Sequence, residues 1–167
     1  MTVSARQIES PPTGQTIEFL TTAEESEGEL LRLRVTLRPG GSVPSHTHRE
    51  QEERFEVVSG QPSFKVDGRA VAPEVGEGLA VAPGVAHRFS NDSEADVEFI
   101  AELRPALRSE ELFDALYRLA REGRTLGRTG APGPVQTARL MAEYEREFFY
   151  LSAIPVRAQR ALTVLAR

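Results

Sequence analysis

One short stretch, from Gly40 to Gly60, constrains the fold of this chain more than any other. It contains His46 and His48, two of only three histidines in 167 residues, and Glu53 follows five positions later. Side chains two positions apart in an extended strand point to the same face. The spacing therefore predicts two imidazoles on one face with a carboxylate nearby, which is the donor arrangement that a metal site needs.

The third histidine, His87, lies in a second stretch with turn residues, from Gly76 to Asn91. Three neutral imidazoles and one carboxylate suit a single divalent first-row metal, with Fe, Mn, Ni, Co, Cu and Zn all open. The alternative is three unrelated histidines with structural roles. The joint spacing of all four donors favours the metal site, on condition that the fold brings His87 to the other two.

Together the two stretches resemble the two sequence motifs of the cupin superfamily. The matching residues are Gly40, His46, His48, Glu53 and Gly60 in the first motif, and Gly76, Gly84, His87 and Asn91 in the second. Ala82 stands where the second motif usually has its first proline, and Pro83 follows it. The resemblance covers roughly residues 14–103. It implies a jelly-roll fold and a metal site made by His46, His48, Glu53 and His87, but it does not specify a reaction.

Two adjacent glutamates compete for the role of the carboxylate ligand. Glu53 has the same parity as Phe55 and Val57, so its side chain is expected on the apolar face of the strand. Glu52 is then expected to be a solvated charge or a partner of the metal ligands.

The strand pattern predicts a mainly β fold, an antiparallel jelly-roll barrel or sandwich. Leu31, Leu33, Val35 and Leu37 alternate with polar residues, which gives one buried and one wet face. Asp67-Gly68 is a strong hairpin signal. Several short strands with turn residues every eight to twelve positions are typical of such folds. Phe55, Phe64, Val66, Phe89 and Phe99 are expected inside, either as ordinary core or as the lining of a substrate pocket.

After Pro105 the apolar period changes from two to that of a helix. The pattern predicts about three C-terminal helices, one from Ser109 that stops at Gly123, one over 135–151 and a short one over 155–165. We therefore expect an N-terminal arm over 1–13, a barrel over 14–105 and a helical extension over 106–167. The extension is expected to pack on the barrel or on a dimer partner.

Composition narrows the class of protein. The chain has no cysteine, so it has no disulfide framework and no thiolate ligand. No apolar run is long enough to span a bilayer, and the first ten residues lack the apolar core of a signal peptide, so a cytoplasmic location is expected. The net charge of −5 argues against nucleic acid as a partner. A small molecule and a second copy of the chain, forming a homodimer, are the expected partners.

The resemblance leaves several functions open. A non-haem dioxygenase acting on a small chelating molecule is the first expectation, because three histidines and one glutamate resemble the ligand set of cupin dioxygenases. An isomerase, cyclase or decarboxylase that needs no oxygen is the second, and a non-catalytic binding module is the third. No separate catalytic base is identified, because all three histidines are assigned to the metal.

Overall fold

A computed structural model describes residues 6–126 and 130–147. The ten strands of the main body are β1 Gln7–Ser10, β2 Gln15–Thr21, β3 Leu31–Leu37, β4 Ser42–His46, β5 Glu52–Ser59, β6 Ser63–Val66, β7 Arg69–Val71, β8 Gly78–Val81, β9 His87–Ser90 and β10 Val97–Arg104. Helix α1 Ser109–Arg121 follows, then the two-residue strands β11 Thr125–Leu126 and β12 Ala131–Pro132, and helix α2 Pro134–Glu143. A single 3-10 turn, Pro11–Thr13, joins β1 to β2.

The main strands form two antiparallel sheets that share one core. The larger sheet has the order β1-β2-β3-β10-β5-β8, and the smaller has the order β4-β9-β6-β7. Strand β10 pairs with β3 so that Phe99 lies opposite Val35 and Leu103 opposite Leu31. These residues have the same parity along their strands, so the register places their side chains on the inner face.

Four phenylalanines join the two sheets. Phe55 and Phe99 come from the larger sheet, Phe64 and Phe89 from the smaller, and every pair of rings has centroids 4.9–6.0 Å apart. Each ring is at most 5% exposed. Such edge and tilted contacts add to the burial of apolar area, so this cluster fixes how the sheets face each other.

The turn after β5 explains the closing glycine of the first motif. Gly60 has φ +75°, which L side chains rarely adopt, and a Cβ there would lie 2.7 Å from Cγ1 of Val97. Only glycine permits this turn to pass so close to β10.

The predicted mainly β, antiparallel fold is confirmed, and it takes the form of two sheets rather than a closed barrel. The segment 1–13, expected to be an arm, contributes strand β1, which pairs with β2 from Gln7 to Ser10. Ile8 and Ser10 are buried while Gln7 and Glu9 are exposed, and this alternation lets the segment extend the sheet.

Two of the predicted α-helices fall on described residues. Helix α1 is present and Gly123 follows it with φ +67°. The prediction of a helix over 135–151 is wrong at its C-terminal end, because α2 ends at Glu143 and Tyr144 has φ −113° and ψ 47°. Hydrogen bonds of Glu147 with Arg108 and His48 hold the chain after α2 in a non-helical path. The predicted helix over 155–165 lies outside the described residues.

Helix α1 packs between the two-sheet core and α2. Tyr117, Phe113 and Leu116 join the main core, whereas Leu119 lies against Leu140 and Tyr144. Its first turns are also tied to the residue before β1, since Arg6 pairs with Glu110 and Asp114. Within the described residues, no helix has both the length and the apolar character needed to cross a membrane.

Candidate metal centre

Three strands bring together the four residues that the sequence predicts as ligands. His46 ends β4 and His87 begins β9, and these two residues are direct partners in the β4–β9 pairing. Glu53 lies in β5 of the opposite sheet, and His48 follows β4 in the turn before β5. The pairing of β4 with β9 thus brings His87 next to His46, although the two residues are about forty positions apart in the sequence. The sequence pattern alone did not predict this pairing.

The donor atoms converge on one point. Oε2 of Glu53 lies 2.7 Å from Nε2 of His87 and 3.2 Å from Nε2 of His48. The His46 ring centroid is 4.2 Å from that of His87 and 5.1 Å from that of His48. One donor atom from each of the four residues lies within 4.8 Å of the other three, so the group could hold a metal ion.

Backbone carbonyls orient all three imidazoles. Nδ1 of His46 lies 2.8 Å from the carbonyl oxygen of Pro44, and Nδ1 of His87 lies 3.1 Å from that of Val85. Nδ1 of His48 lies 3.2 Å from the carbonyl oxygen of Glu147. A carbonyl oxygen can only accept a hydrogen bond, so each Nδ1 carries the imidazole proton. Each Nε2 therefore presents a lone pair to the cluster.

The positions of the imidazole protons show whether a metal ion fits among the four donors. With Nδ1 protonated, Nε2 of neutral His87 and Oε2 of Glu53 are both acceptors, yet they lie 2.7 Å apart. A cation must offset their repulsion, and it is either an additional proton on His87 or a metal ion among the four donors. The donor set therefore fits a divalent metal.

The charges of the cluster follow from burial and mutual contact. Burial, together with the neighbouring His87 and His48, lowers the pKa of His46 to about 3. Burial alone would raise the pKa of Glu53, but the close imidazoles of His48 and His87 favour the carboxylate once they take up a second proton, and this lowers the pKa of Glu53 well below its ordinary value. Burial likewise opposes the charged form of His87, but the contact with Glu53 raises its pKa. Glu53 is therefore a carboxylate and His46 a neutral imidazole at neutral pH.

Of the two adjacent glutamates, Glu53 is the one that faces the histidines. It is 6% exposed. Glu52 points to the other face of β5, where it pairs with Arg54 at 2.5 Å. Parity along the strand therefore decided correctly which carboxylate points inward.

A cavity of about 150 Å³ adjoins the cluster and is lined by His46, His48 and Glu53. Most of its other lining is apolar and comes from β2, β3, α1 and the segment 130–132; among these residues are Ile17, Leu33, Val35, Leu112, Phe113, Leu116 and Tyr117. The sequence reasoning assigned the α1 residues to packing alone. Their helical stripe gave no sign that one side of it faces a cavity.

Two further buried polar residues near the cluster were not found from the sequence. Gln51 is 1% exposed, and its Nε2 lies 2.8 Å from both the Pro105 carbonyl oxygen and Ser109 Oγ. Glu147 is 4% exposed and accepts a hydrogen bond of 3.0 Å from the backbone N–H of Arg108. Both tie the start of α1 to the histidine cluster. Gln51 occupies a variable position within the first motif and Glu147 lies outside both motifs, so neither gave a signal of its role.

Asn91, the last residue of the second motif, has a structural role. It is fully buried, and its Nδ2 donates hydrogen bonds to the carbonyl oxygens of Leu37 and Ala95. Its Oδ1 accepts from the Ser93 backbone and hydroxyl. It fastens the turn after β9, as expected for asparagine in a turn.

Comparisons with known proteins agree with this fold. Residues 33–101 match the model of the family described as Cupin domain. The Oxalate-binding protein of Thermotoga maritima is 31% identical over 68 residues, which cover 41% of this chain and 56% of that protein. The alignment thus spans little more than half of the length of this relative.

Two solved structures show the same fold. A predicted oxalate decarboxylase from Thermotoga maritima is 25% identical, with a TM-score of 0.54, over 62% of this chain and 94% of the other. An RmlC-like cupin from Shewanella frigidimarina is 22% identical, with a TM-score of 0.56, over 66% of this chain and 92% of the other. Helix α1 lies outside the residues that match the family model.

Proposed function

Because the chain belongs to the cupin superfamily, we propose that it is a metal-dependent enzyme acting on a small organic molecule. His46, His48, Glu53 and His87 would hold one divalent ion of Fe, Mn, Ni, Co, Cu or Zn. When bound, such an ion polarises oxygen ligands and activates them toward electron and proton transfer. The residues of the chain bind the ion, orient a chelating ligand and exclude water.

One observation carries this proposal: four donor atoms converge beside an apolar cavity that three of the four residues line, and each imidazole is oriented by a carbonyl. Four protein ligands leave two positions open if the coordination is octahedral. A cavity of about 150 Å³ lies beside His46, His48 and Glu53 and is large enough for a compact ligand of such an ion. A structural metal site, in contrast, is usually closed by its own ligands.

For the reaction we propose oxidation of a chelating substrate by dioxygen, as in a non-haem dioxygenase. Two features support this choice, the three-histidine, one-glutamate donor set and the mainly apolar lining of the adjoining cavity. The second candidate is carbon–carbon cleavage without oxygen, such as decarboxylation. The likeness to an Oxalate-binding protein and to a predicted oxalate decarboxylase favours it.

Elemental analysis tests the metal site. Protein purified without added metal is expected to carry about one transition metal per chain, and a His46→Ala/His87→Ala variant is expected to carry almost none, because two of the four donors are gone. Glu52→Gln is the matched control, since Glu52 pairs with Arg54 on the other face. Equal metal content in the double variant and the wild type would contradict the assignment of the ligands.

Oxygen consumption separates the two reactions. The metal-loaded protein is offered chelating enols and 2-oxo acids in air and under argon, with product analysis by mass spectrometry. Products formed only in air, with matching oxygen uptake, support the dioxygenase. Equal turnover under argon would assign the chain to the oxygen-independent class, and ligand binding without turnover in either gas would make it a binding module.

The remaining features of the proposal concern assembly. We propose a domain of residues 14–105 with a helical extension over 106–167, and a homodimer in the cytoplasm, as the family resemblance implies. Sedimentation equilibrium tests the dimer, which predicts twice the chain mass of 18.4 kDa. A single species at the chain mass would contradict it.

A further inference from the structure

The carbonyls that orient the three imidazoles lie at very different distances along the chain. His46 and His87 each meet the carbonyl oxygen of the residue two positions earlier, at 2.8 Å and 3.1 Å from Nδ1. The carbonyl that meets Nδ1 of His48 belongs to Glu147, 99 positions later in the sequence. Two rings are therefore oriented by their near neighbours in the chain, whereas the third depends on a distant segment.

This distant segment is a short strap of residues 145–147, which contacts residues 48–50 in the turn between β4 and β5. Two ion pairs connect the strap to the turn. They are Arg49–Glu145 and Arg146–Glu50, each at 3.0 Å. Solvent-exposed pairs of this kind contribute little stability. They set the position of the strap along the turn, so that its last carbonyl faces His48.

The carboxylate of Glu147 anchors the strap to the start of helix α1. It accepts a hydrogen bond of 3.0 Å from the backbone N–H of Arg108, the residue just before the helix, and Glu147 is only 4% exposed. The first N–H groups of a helix have no partner within it, and the side chain of Arg108 forms no capping hydrogen bond. A carboxylate is favoured at this end of a helix by its dipole. Glu147 thus caps α1 from a distant position.

The position of His48 makes its ring dependent on such a support. Strand β4 ends at His46, so His48 lies in the turn, where its carbonyl accepts a hydrogen bond of 2.7 Å from the N–H of Gly84. That bond holds the backbone but not the ring. Nε2 faces Glu53 in the cluster, so the partner of Nδ1 fixes the rotation and the tautomer of the imidazole.

We propose that Glu147 is a positioning residue for His48 in the metal centre. Its carboxylate fixes the strap to α1, and the fixed strap presents the carbonyl that keeps Nδ1 protonated and Nε2 directed at the cluster. Glu147 lies outside residues 33–101, which match the cupin family model and contain the carbonyl partners of the other two histidines. The inference rests on the proposed metal site. It makes one of the four ligands dependent on the C-terminal extension.

Two variants of the full chain separate this role from a general contribution to folding. Glu147→Ala removes the carboxylate anchor, whereas Glu147→Gln keeps an oxygen that can accept from the N–H of Arg108. Glu122→Ala is the matched control, because Glu122 is exposed and pairs with Arg124 after the other end of α1. Competition with a chromophoric chelator measures the affinity for Co²⁺. The visible absorption of bound Co²⁺ reports the number and geometry of its ligands.

Glu147→Ala is expected to bind Co²⁺ about 10–100-fold more weakly than the wild type, which is the usual effect of losing a partner of a metal ligand. Its Co²⁺ absorption should also change, because His48 is no longer held in place. Glu147→Gln should recover most of the affinity, and Glu122→Ala should match the wild type in both measurements.

A measurement on the metal-free protein tests the hydrogen bond directly. In chelator-treated samples, the Nδ1 proton of His48 is expected to give an NMR signal in the wild type and in Glu147→Gln. In Glu147→Ala this proton should exchange faster with water, because the strap opens more often. Equal exchange in the wild type and Glu147→Ala would contradict the anchoring role of the carboxylate.

Two further outcomes would overturn the inference and leave the proposed metal site intact. The first is a wild-type Co²⁺ affinity and absorption in Glu147→Ala. The second is an equal loss of affinity in Glu147→Ala and Glu147→Gln, which would assign the effect to charge rather than to position. Wild-type protein that binds no Co²⁺ would instead remove the proposed metal site, and this inference with it.

Discussion

The two ends of the cavity are built in different ways. At the metal end, each histidine ring is fixed by a carbonyl on its outer nitrogen, and all four side chains face one point. At the helix end, Leu112, Phe113 and Leu116 line the wall by apolar packing alone. Hydrogen-bond geometry tolerates little change, whereas apolar packing accepts residues of similar volume. The donor geometry of the cluster is thus rigidly specified, whereas the lining at the helix end can be altered one residue at a time.

The largest expected effect follows from removing the charge of Glu53, which should weaken metal binding. Glu53→Gln is expected to lower the affinity for Zn²⁺ by more than about 100-fold, because changes to the partners of metal ligands alone cost 10–100-fold. Competition with a chromophoric chelator measures the affinity. Glu52→Gln, one position away and facing outward, should retain the wild-type value. Equal losses in both variants would mean that the carboxylates are not distinguished by the face of β5.

Shortening an apolar side chain at the helix end should lower the stability of the fold and leave metal binding unchanged. Leu112 is 3% exposed, so Leu112→Ala is expected to lower the free energy of unfolding by about 2–4 kcal/mol. Metal content should stay at the wild-type level, since the carbonyls that orient the three imidazoles belong to Pro44, Val85 and Glu147 and not to α1. Urea unfolding and elemental analysis test the two parts, with exposed Val135→Ala as control. Loss of metal with unchanged stability would contradict the separation of the ends.

Gln51 joins the ends, so its removal should affect both. Its Nε2 lies within hydrogen-bond distance of the Pro105 and Ala106 carbonyl oxygens and of Ser109 Oγ. Gln51→Ala leaves these buried acceptors unsatisfied, which is expected to cost about 1–3 kcal/mol of unfolding free energy. Thermal unfolding with and without Zn²⁺ measures it. A change below the error of the measurement would show that the start of α1 is held by packing alone.

The smallest expected effect concerns pH in the metal-free protein. Because burial and the neighbouring His87 and His48 lower the pKa of His46 from 6.5 to about 3, the unfolded chain binds this proton first as the pH falls. Stability linked to His46 is therefore fully present above pH 6.5 and is lost progressively below it. Because the side chain of His46 is only half-buried, we expect the free energy of unfolding to fall by about 1–2 kcal/mol between pH 6.5 and 4.5.

Chelator-treated wild type and His46→Gln are the pair to compare, by urea unfolding at several pH values. The raised pKa of His87 affects the range above pH 6.5 and the lowered pKa of Glu53 affects the range below 4.5, so neither confounds this window. The wild type should lose stability faster than the variant as the pH falls. Parallel pH profiles would show that His46 does not carry the effect.

The convergence of the three histidines and Glu53 was largely predictable from the sequence, because most of its information is local. Parity placed His46 with His48 and chose Glu53 over Glu52, and the turn glycines marked where the strands end. The meeting of His87 with His46 needed the β4–β9 pairing, which the family motifs implied and periodicity alone did not. The mainly antiparallel fold followed from alternation such as that of Leu31 to Leu37.

The helix end was not predictable in the same way. An apolar stripe on a helix buries equally well against a core, a partner or a cavity, so Leu116 gave no signal of its role. Strand β1 was missed because four residues carry too little alternation to distinguish a strand from an arm. The end of α2 depended on Glu147, whose contacts with Arg108 and His48 join residues far apart in the chain.

The position of Glu147 has a thermodynamic consequence. Its carbonyl oxygen holds His48 in orientation, and its carboxylate holds the backbone N–H of Arg108 just before α1. An ion bound by His48 and the path of residues 144–147 are therefore mutual effectors. Each raises the stability of the other by the same free energy, whichever forms first. A metal ion bound at this cluster and the far end of the described chain would thus exert reciprocal control through the Glu147 peptide group.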